Sequence, residues 1–175
     1  GFRRRGYTFD GGDQSFESLG LVFPILGELG LLEEQDWTKV RYRFVSPDFD
    51  FFLDDFESVE GALRRAFPRE PGFGPLFAEA REVSRFISEH CDPWSFPLLE
   101  RPTPARIIGF LKWLPRLRQW LTYRYRLEAC SVIQDPALRK WFSEIGYYHM
   151  PYLFFGGFWH LWMKDYWYPV GGMQA

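Results

Sequence analysis

The segment from Tyr147 to Tyr168, YYHMPYLFFGGFWHLWMKDYWY, constrains this chain more than any other, because it crowds bulky rings around one pair of glycines. Rings bury large apolar areas with few rotatable bonds, so they build rigid walls. Gly156 and Gly157 let a backbone come close to a flat or elongated body, and that predicts the wall of a slot for an extended apolar ligand. The same rings also fit an aromatic-heavy core containing Phe154, Phe155, Phe158 and Trp162, and the sequence leaves both readings open. The wider composition sharpens the question, since 19 Phe, 8 Trp and 9 Tyr exceed what a core of 175 residues requires. The apolar window Tyr152 to Met163 is too short for a spanning helix of ~20 residues, so the segment is read as non-spanning.

The length predicts one domain, residues 1–175, around one core. A formal charge of -2 gives no general attraction to nucleic acid, and none is expected as a partner. Basic residues are instead concentrated: Arg101, Arg106, Lys112, Arg116, Arg118, Arg124 and Arg126 stand in a stretch with no acidic residue. Read as one helix kinked at Pro115, this stretch places Ile107, Phe110, Leu111, Trp113, Leu114, Leu117, Trp120 and Leu121 over about half the circumference, with Lys112 and Arg116 opposite. Such a helix suits an anionic membrane surface, with Phe110, Lys112, Trp113, Arg116, Leu117 and Trp120 as its contacts. It equally suits packing on a core with a solvated basic face.

Cys91 and Cys130 have neither a redox nor a metal-ligand spacing, and His90, His149 and His160 complete no metal pattern, so no disulfide or metal is expected and the compartment reads as reducing. No G-x-G-x-x-G occurs; Gly72-Phe73-Gly74 comes nearest but has Phe77 where a third glycine is required. There is no P-loop, nucleophile elbow or zinc-protease signature. Both ends, opening on GFRRRGYTFDGG and closing on YWYPVGGMQA, read as cuts from a longer chain.

Periodicity and punctuation predict the elements. Tyr7 and Phe9 alternate with polar neighbours in a strand ending at Gly11-Gly12, and a helix follows from Ser15 with a kink at Pro24 and a stop near Gly30. Arg41 to Leu53 reads as a hairpin with Phe44 opposite Phe49, Arg43 opposite Asp50 and Tyr42 opposite Phe51. Ser58 caps a short helix carrying Leu63 and Phe67, and Pro75 opens a longer one with Leu76, Phe77, Ala80, Val83, Phe86 and Ile87 inward. The prolines from Asp92 to Pro104 predict an extended connector, after which Thr103-Pro104 and Asp135-Pro136 each start a helix; Gly146 ends the second. A strand, a helix, a hairpin and then several helices give an α+β class, a small antiparallel sheet with a helix-rich layer.

GYTFDGG at the start, GELGL at Gly27 to Leu31, AFPREPGF at Ala66 to Phe73 and the closing YWYPVGGMQA occur in the order seen in phytoene desaturase-like proteins, a group that includes carotenoid desaturases, carotenoid isomerases and retinol saturases. The chain resembles the substrate domain of those flavin-dependent oxidoreductases. The resemblance implies a split FAD domain that the chain leaves and re-enters, with Asp10-Gly11-Gly12 at the crossing and Tyr168, Pro169, Gly171, Gly172 and Met173 approaching the flavin. It also implies an apolar polyene or related lipid substrate held by Phe154, Phe155, Phe158, Trp159, Trp162 and Tyr166. The hydride would pass between carbon and flavin, so no catalytic acid–base pair of this chain is expected. The FAD-binding domain of the same polypeptide becomes the expected partner, and the setting cytoplasmic with peripheral membrane association. A standalone lipid- or membrane-surface-binding module without redox activity is the alternative. On either reading the purified chain should show negligible flavin absorbance; a stoichiometrically yellow preparation would contradict it.

Overall fold

The computed structural model describes residues 2–9, 19–91, 103–146, 149–164 and 166–170. It is α+β, with three antiparallel two-stranded ribbons and, among the described residues, eight α-helices. Strand β1 (Phe2–Arg4) turns through Arg5 and Gly6 into β2 (Tyr7–Phe9). Both turn residues have positive φ, 52° and 83°, as tight turns matching strand twist require. The single expected strand is therefore half of a hairpin, and its expected end at Gly11-Gly12 lies outside the described residues, as does the helix start at Ser15. Helix α1 (Leu19–Glu28) runs through Pro24 and ends at Gly30, whose φ of +73° suits glycine.

The ribbon of β4 (Arg43–Val45) and β5 (Asp50–Phe52) keeps the expected faces but moves the register by two residues. Phe44 stands opposite Phe51, not Phe49, and Arg43 opposite Phe52, not Asp50. A shift of two preserves the alternation of faces, so the chemistry survives the correction. The Phe44 and Phe51 rings meet edge to face at 5.9 Å, and Arg43 reaches Asp50 diagonally, with Nε donating at 2.6 Å. The turn is tighter at its tip than a generic loop, because Ser46 Oγ accepts from both Asp48 and Phe49 backbone N–H groups.

Helix α2 (Phe56–Ala66) is capped by Asp55, whose carboxylate accepts from Ser58 N at 2.7 Å. Asp55 thus takes the role expected of Ser58, which sits one turn inside. Helix α3 (Phe73–Phe86) buries Leu76, Phe77, Ala80, Val83 and Phe86 as its spacing predicts, and continues into a π-helical turn, Ile87–Cys91. The expected connector of Asp92 to Pro104 lies almost wholly outside the described residues.

The basic stretch forms three short helices instead of one: α4 (Pro104–Leu111), α5 (Leu114–Trp120) and α6 (Tyr123–Cys130). Pro115 has no N–H to give to Leu111, so the break falls at Lys112 and Trp113, ahead of the proline that starts α5. Thr122 makes the second break, its hydroxyl accepting from Tyr125 N to cap α6. Helix α7 (Pro136–Glu144) begins as expected, with Asp135 Oδ1 accepting from Ala137 and Leu138 N, both at 2.9 Å. Gly146 follows it with φ +89°.

Helix α8 (Tyr152–Lys164) lies along α3, and the two form the centre of the core. Gly156 makes this approach possible: a Cβ there would sit 2.8 Å from Val83 Cβ. The glycine pair therefore serves helix packing, not a ligand slot. Gly157 is less tight, with Ile87 Cδ1 at 3.4 Å from the equivalent position. Beyond α8, β6 (Trp167–Pro169) pairs with β3 (Trp37–Lys39), Trp37 facing Pro169 and Lys39 facing Trp167. Phe23 of α1 covers this ribbon, 5.0 Å from the Trp37 ring and 6.1 Å from Trp167.

Gly156→Ala should lower stability by about 1–3 kcal/mol in urea denaturation, because both partners of the clash are branched or backbone-fixed. Gly157→Ala should cost less, since the Ile87 terminus can swing aside; equal effects would show that α3 and α8 are not wedged together at Val83.

Candidate functional site

The aromatic helix α8 divides into two faces. Phe155 and Trp159 point into the core, 1% and 0% exposed, and Trp159 touches Phe44, Phe77 and Phe142. Phe154, Phe158 and Trp162 recur every four residues on the other face. Phe154 is exposed, while Phe158 and Trp162 are half-buried and stacked at 5.3 Å and 25°. At 1.5 Å per residue this outer stripe extends about 12 Å. Trp162 continues it to Tyr42 at 6.2 Å, and Tyr42 to the buried Tyr166 at 5.2 Å. Of the six residues expected to hold a substrate, Phe154, Phe158 and Trp162 form one surface stripe, and Phe155, Trp159 and Tyr166 are buried.

The end of this track meets the β3–β6 ribbon. Tyr168 stands opposite Thr38, and Pro169 is buried opposite Trp37. Val170 N donates to Asp36 O at 2.8 Å, and Gln35 Nε2 donates to Val170 O at the same distance. A recess of about 300 Å³ beside it is lined by Lys39, Arg41, Leu53, Asp54, Trp162 and Met163. Lys39 Nζ donates to Met163 O at 2.6 Å, so it serves as a cation on the last turn of α8. Arg41 pairs with Asp54 at 2.5 Å and lies 4.0 Å from the Phe52 ring. Gly171, Gly172 and Met173 lie outside the described residues.

Gly72-Phe73-Gly74, the nearest approach to a dinucleotide fingerprint, stands at the start of α3. Glu70, itself buried, occupies that N-terminus: its carboxylate accepts from Gly72 N at 2.8 Å and from Gln134 and Asp135 N at 2.9 and 2.8 Å. Burial alone would raise the Glu70 pKa, but these backbone donors outweigh it and hold it below the usual carboxylate value. A Cβ on Gly72 would lie 2.4 Å from Val132 O, which leaves no room for a phosphate. The start of α3 therefore does not fit the pyrophosphate of FAD. What AFPREPGF does structurally is tie the α2–α3 loop to the start of α7.

Tertiary contacts redistribute the basic stretch. Arg116 is bound to Glu79 at 2.6 Å and Glu82 at 2.5 Å, both from α3. Burial would lower its pKa, but the bonds to Glu82 and Glu79 raise it further above its ordinary value. Glu79 also accepts from Trp120 Nε1 at 2.7 Å and Tyr125 Oη at 2.8 Å. Arg126 is fully buried, donating to Ile145 O at 2.5 Å and lying 5.0 Å from the Phe155 ring. Leu117 and Trp120 are buried and Trp113 half-buried against Phe86, so Arg116, Leu117 and Trp120 anchor α5 to α3 and do not face outward. Phe110 and Lys112 remain at the surface.

One buried pair escaped sequence reasoning. Ser84 of α3 and His160 of α8 meet across the helix interface, Oγ to Nδ1 at 2.8 Å, both largely buried. Burial, and then the charge of Lys164, push the His160 pKa down to about 4. The pair acts as a buried hydrogen bond within the helix interface. Cys130, also buried, has its thiol pushed up to about 12 and is not a nucleophile at neutral pH. Among the described residues no group of His, Cys, Asp and Glu could hold a metal ion.

The chain matches no protein-family model, no curated protein and no solved structure to which it was compared.

His160 is neutral in the fold, so the stability it contributes is complete above pH 6.5 and is lost as pH falls toward about 4. That loss should be about 3 kcal/mol on the shift of the pKa. Urea midpoints of the natural chain and of His160→Gln, measured from pH 7 to 4, should converge as pH falls; curves that stay parallel would show that His160 is not buried neutral.

Proposed function

We propose that this chain is the substrate-handling domain of an FAD-dependent oxidoreductase of the phytoene desaturase-like group, acting on a long apolar polyene or related isoprenoid lipid. The observation that carries the reading is the β3–β6 ribbon. Chain at Trp37–Lys39 and chain at Trp167–Pro169 run side by side in opposite directions, while the principal core is built from what lies between. An excursion from a cofactor domain has to come back to its base, and a core bracketed by two paired strands suits such an excursion.

The ring track ends at the same ribbon. Phe154, Phe158 and Trp162 offer apolar ring surface along α8, and Tyr42 links them to the buried Tyr166, two residues before Tyr168, the residue that the resemblance puts near the flavin. Their work is to bind, to align an extended chain along α8 and to keep water from it. On this reading the redox step belongs to a cofactor held by other polypeptide, and the α3 N-terminus, filled by Glu70, is not a site for its pyrophosphate. No residue of this chain is assigned a catalytic role.

Titration with an all-trans C40 polyene in mild detergent, followed by quenching of Trp fluorescence, tests the reading. Saturable one-to-one binding is expected, weakened several-fold by Phe154→Ser and by Trp162→Leu, while FAD alone should leave the emission unchanged. Absence of saturable polyene binding, or binding indifferent to both substitutions, would overturn it.

A further inference from the structure

The apolar arc of the basic stretch is divided between core and surface, and the division isolates a second surface. Trp113, Leu117 and Trp120 turn inward, but Ile107, Ile108, Leu111, Leu114 and Leu121 are 45%, 58%, 50%, 47% and 55% exposed. They follow one another at helical spacing along the outer side of α4 and α5. Large aliphatic side chains clustered in this way mark an interaction surface, not random surface variation.

Charge decides what the surface meets. Lys112 and Arg118 are exposed and form no ion pair among the described residues, whereas Arg116 and Arg124 are taken up by Glu79, Glu82 and Glu128. From Arg101 to Arg126 the sequence supplies no acidic residue to oppose them. Leu114 also borders an open recess of about 750 Å³ between α5 and α6, lined by Arg118, Gln119 and Thr122 together with the paired Arg124 and Glu128. Aliphatic side chains beside free cations are complementary to acyl chains lying under phosphate headgroups. No described helix is long and apolar enough to cross a membrane, so the contact is one of surface seating.

We infer that the outer face of α4 and α5 docks on an anionic bilayer, with Ile107, Ile108, Leu111 and Leu114 in the interface and Lys112 and Arg118 at the headgroups. The inference rests on the lipid-substrate reading and names the surface from which such a substrate would be collected. It replaces the contact set expected from the sequence: Arg116, Leu117 and Trp120 hold α5 on α3, and the aliphatic residues that precede them, Ile107, Ile108, Leu111 and Leu114, carry the contact.

Co-sedimentation of the full chain with phosphatidylcholine vesicles, with and without 30% phosphatidylserine, tests it. Binding should be strong with the anionic lipid at low salt and fall as salt is raised. Lys112→Gln with Arg118→Gln should weaken it about 30-fold, on roughly fivefold per cation. Ile108→Asn with Leu111→Asn should weaken it at least as much, and circular dichroism should show each variant folded, as all four side chains are exposed. Equal binding to neutral and anionic vesicles, variants that bind like the natural chain, or a dimer in sedimentation equilibrium that these substitutions dissolve would overturn the inference, the last by making the face a contact between copies. Polyene quenching in detergent is read separately: its persistence without vesicle binding would remove the docking surface and leave the proposed function standing.

Discussion

The close passage of α3 against α8 is the constraint on which the rest of the structure depends. It exists because Gly156 has no side chain where Val83 presses in, and because Ser84 and His160 satisfy one another inside the interface. Leaving either partner of this buried pair unmet would cost about 1–3 kcal/mol, so the bond favours one rotation of each helix about its own axis. Once α8 has that rotation, Phe155 and Trp159 must enter the core. Phe154, Phe158 and Trp162 must then leave it. The surface track is thus a consequence of helix packing.

Glu79 has a comparable role for the second half of the chain. It receives a guanidinium, an indole N–H and a phenol from α5 and α6, so three donors from different turns converge on one carboxylate of α3. Burial and the Glu79 hydrogen bond together raise the Tyr125 pKa, which keeps that phenol a donor. With Arg116 and Trp120 drawn inward, the opposite sides of α4 and α5 are obliged to face out, and those sides are aliphatic. Electrostatic anchoring inside and apolar exposure outside are two results of one orientation.

Much of this was legible in local chemistry. Asp135-Pro136 starts α7 and Gly30 and Gly146 end their helices, because capping and positive φ are satisfied by residues within a few positions. The inward stripe of α3 follows from its period alone. Register was less secure: a two-residue slip in the β4–β5 ribbon leaves every side chain on its proper face, so alternation cannot detect it. The turn hydrogen bonds of Ser46 select the observed pairing. Likewise Asp55 and Ser58 both have capping side chains, and only geometry assigns the cap to Asp55.

By itself the sequence determined the α+β class, the starts of α4 and α7, the ends of α1 and α7, the absence of a dinucleotide fingerprint and the unusual wealth of rings, since each depends on residues near one another in the chain. Tertiary structure alone decided which rings are core, which cations are free and what occupies the start of α3. Those outcomes turn on partners far apart in sequence: Glu70 with Asp135, Arg116 with Glu79, Ser84 with His160, Trp37 with Pro169. A helical wheel can say that a residue lies on an apolar arc. It cannot say which edge of that arc a neighbouring helix will cover, because the answer lies in the shape and charge of the neighbour.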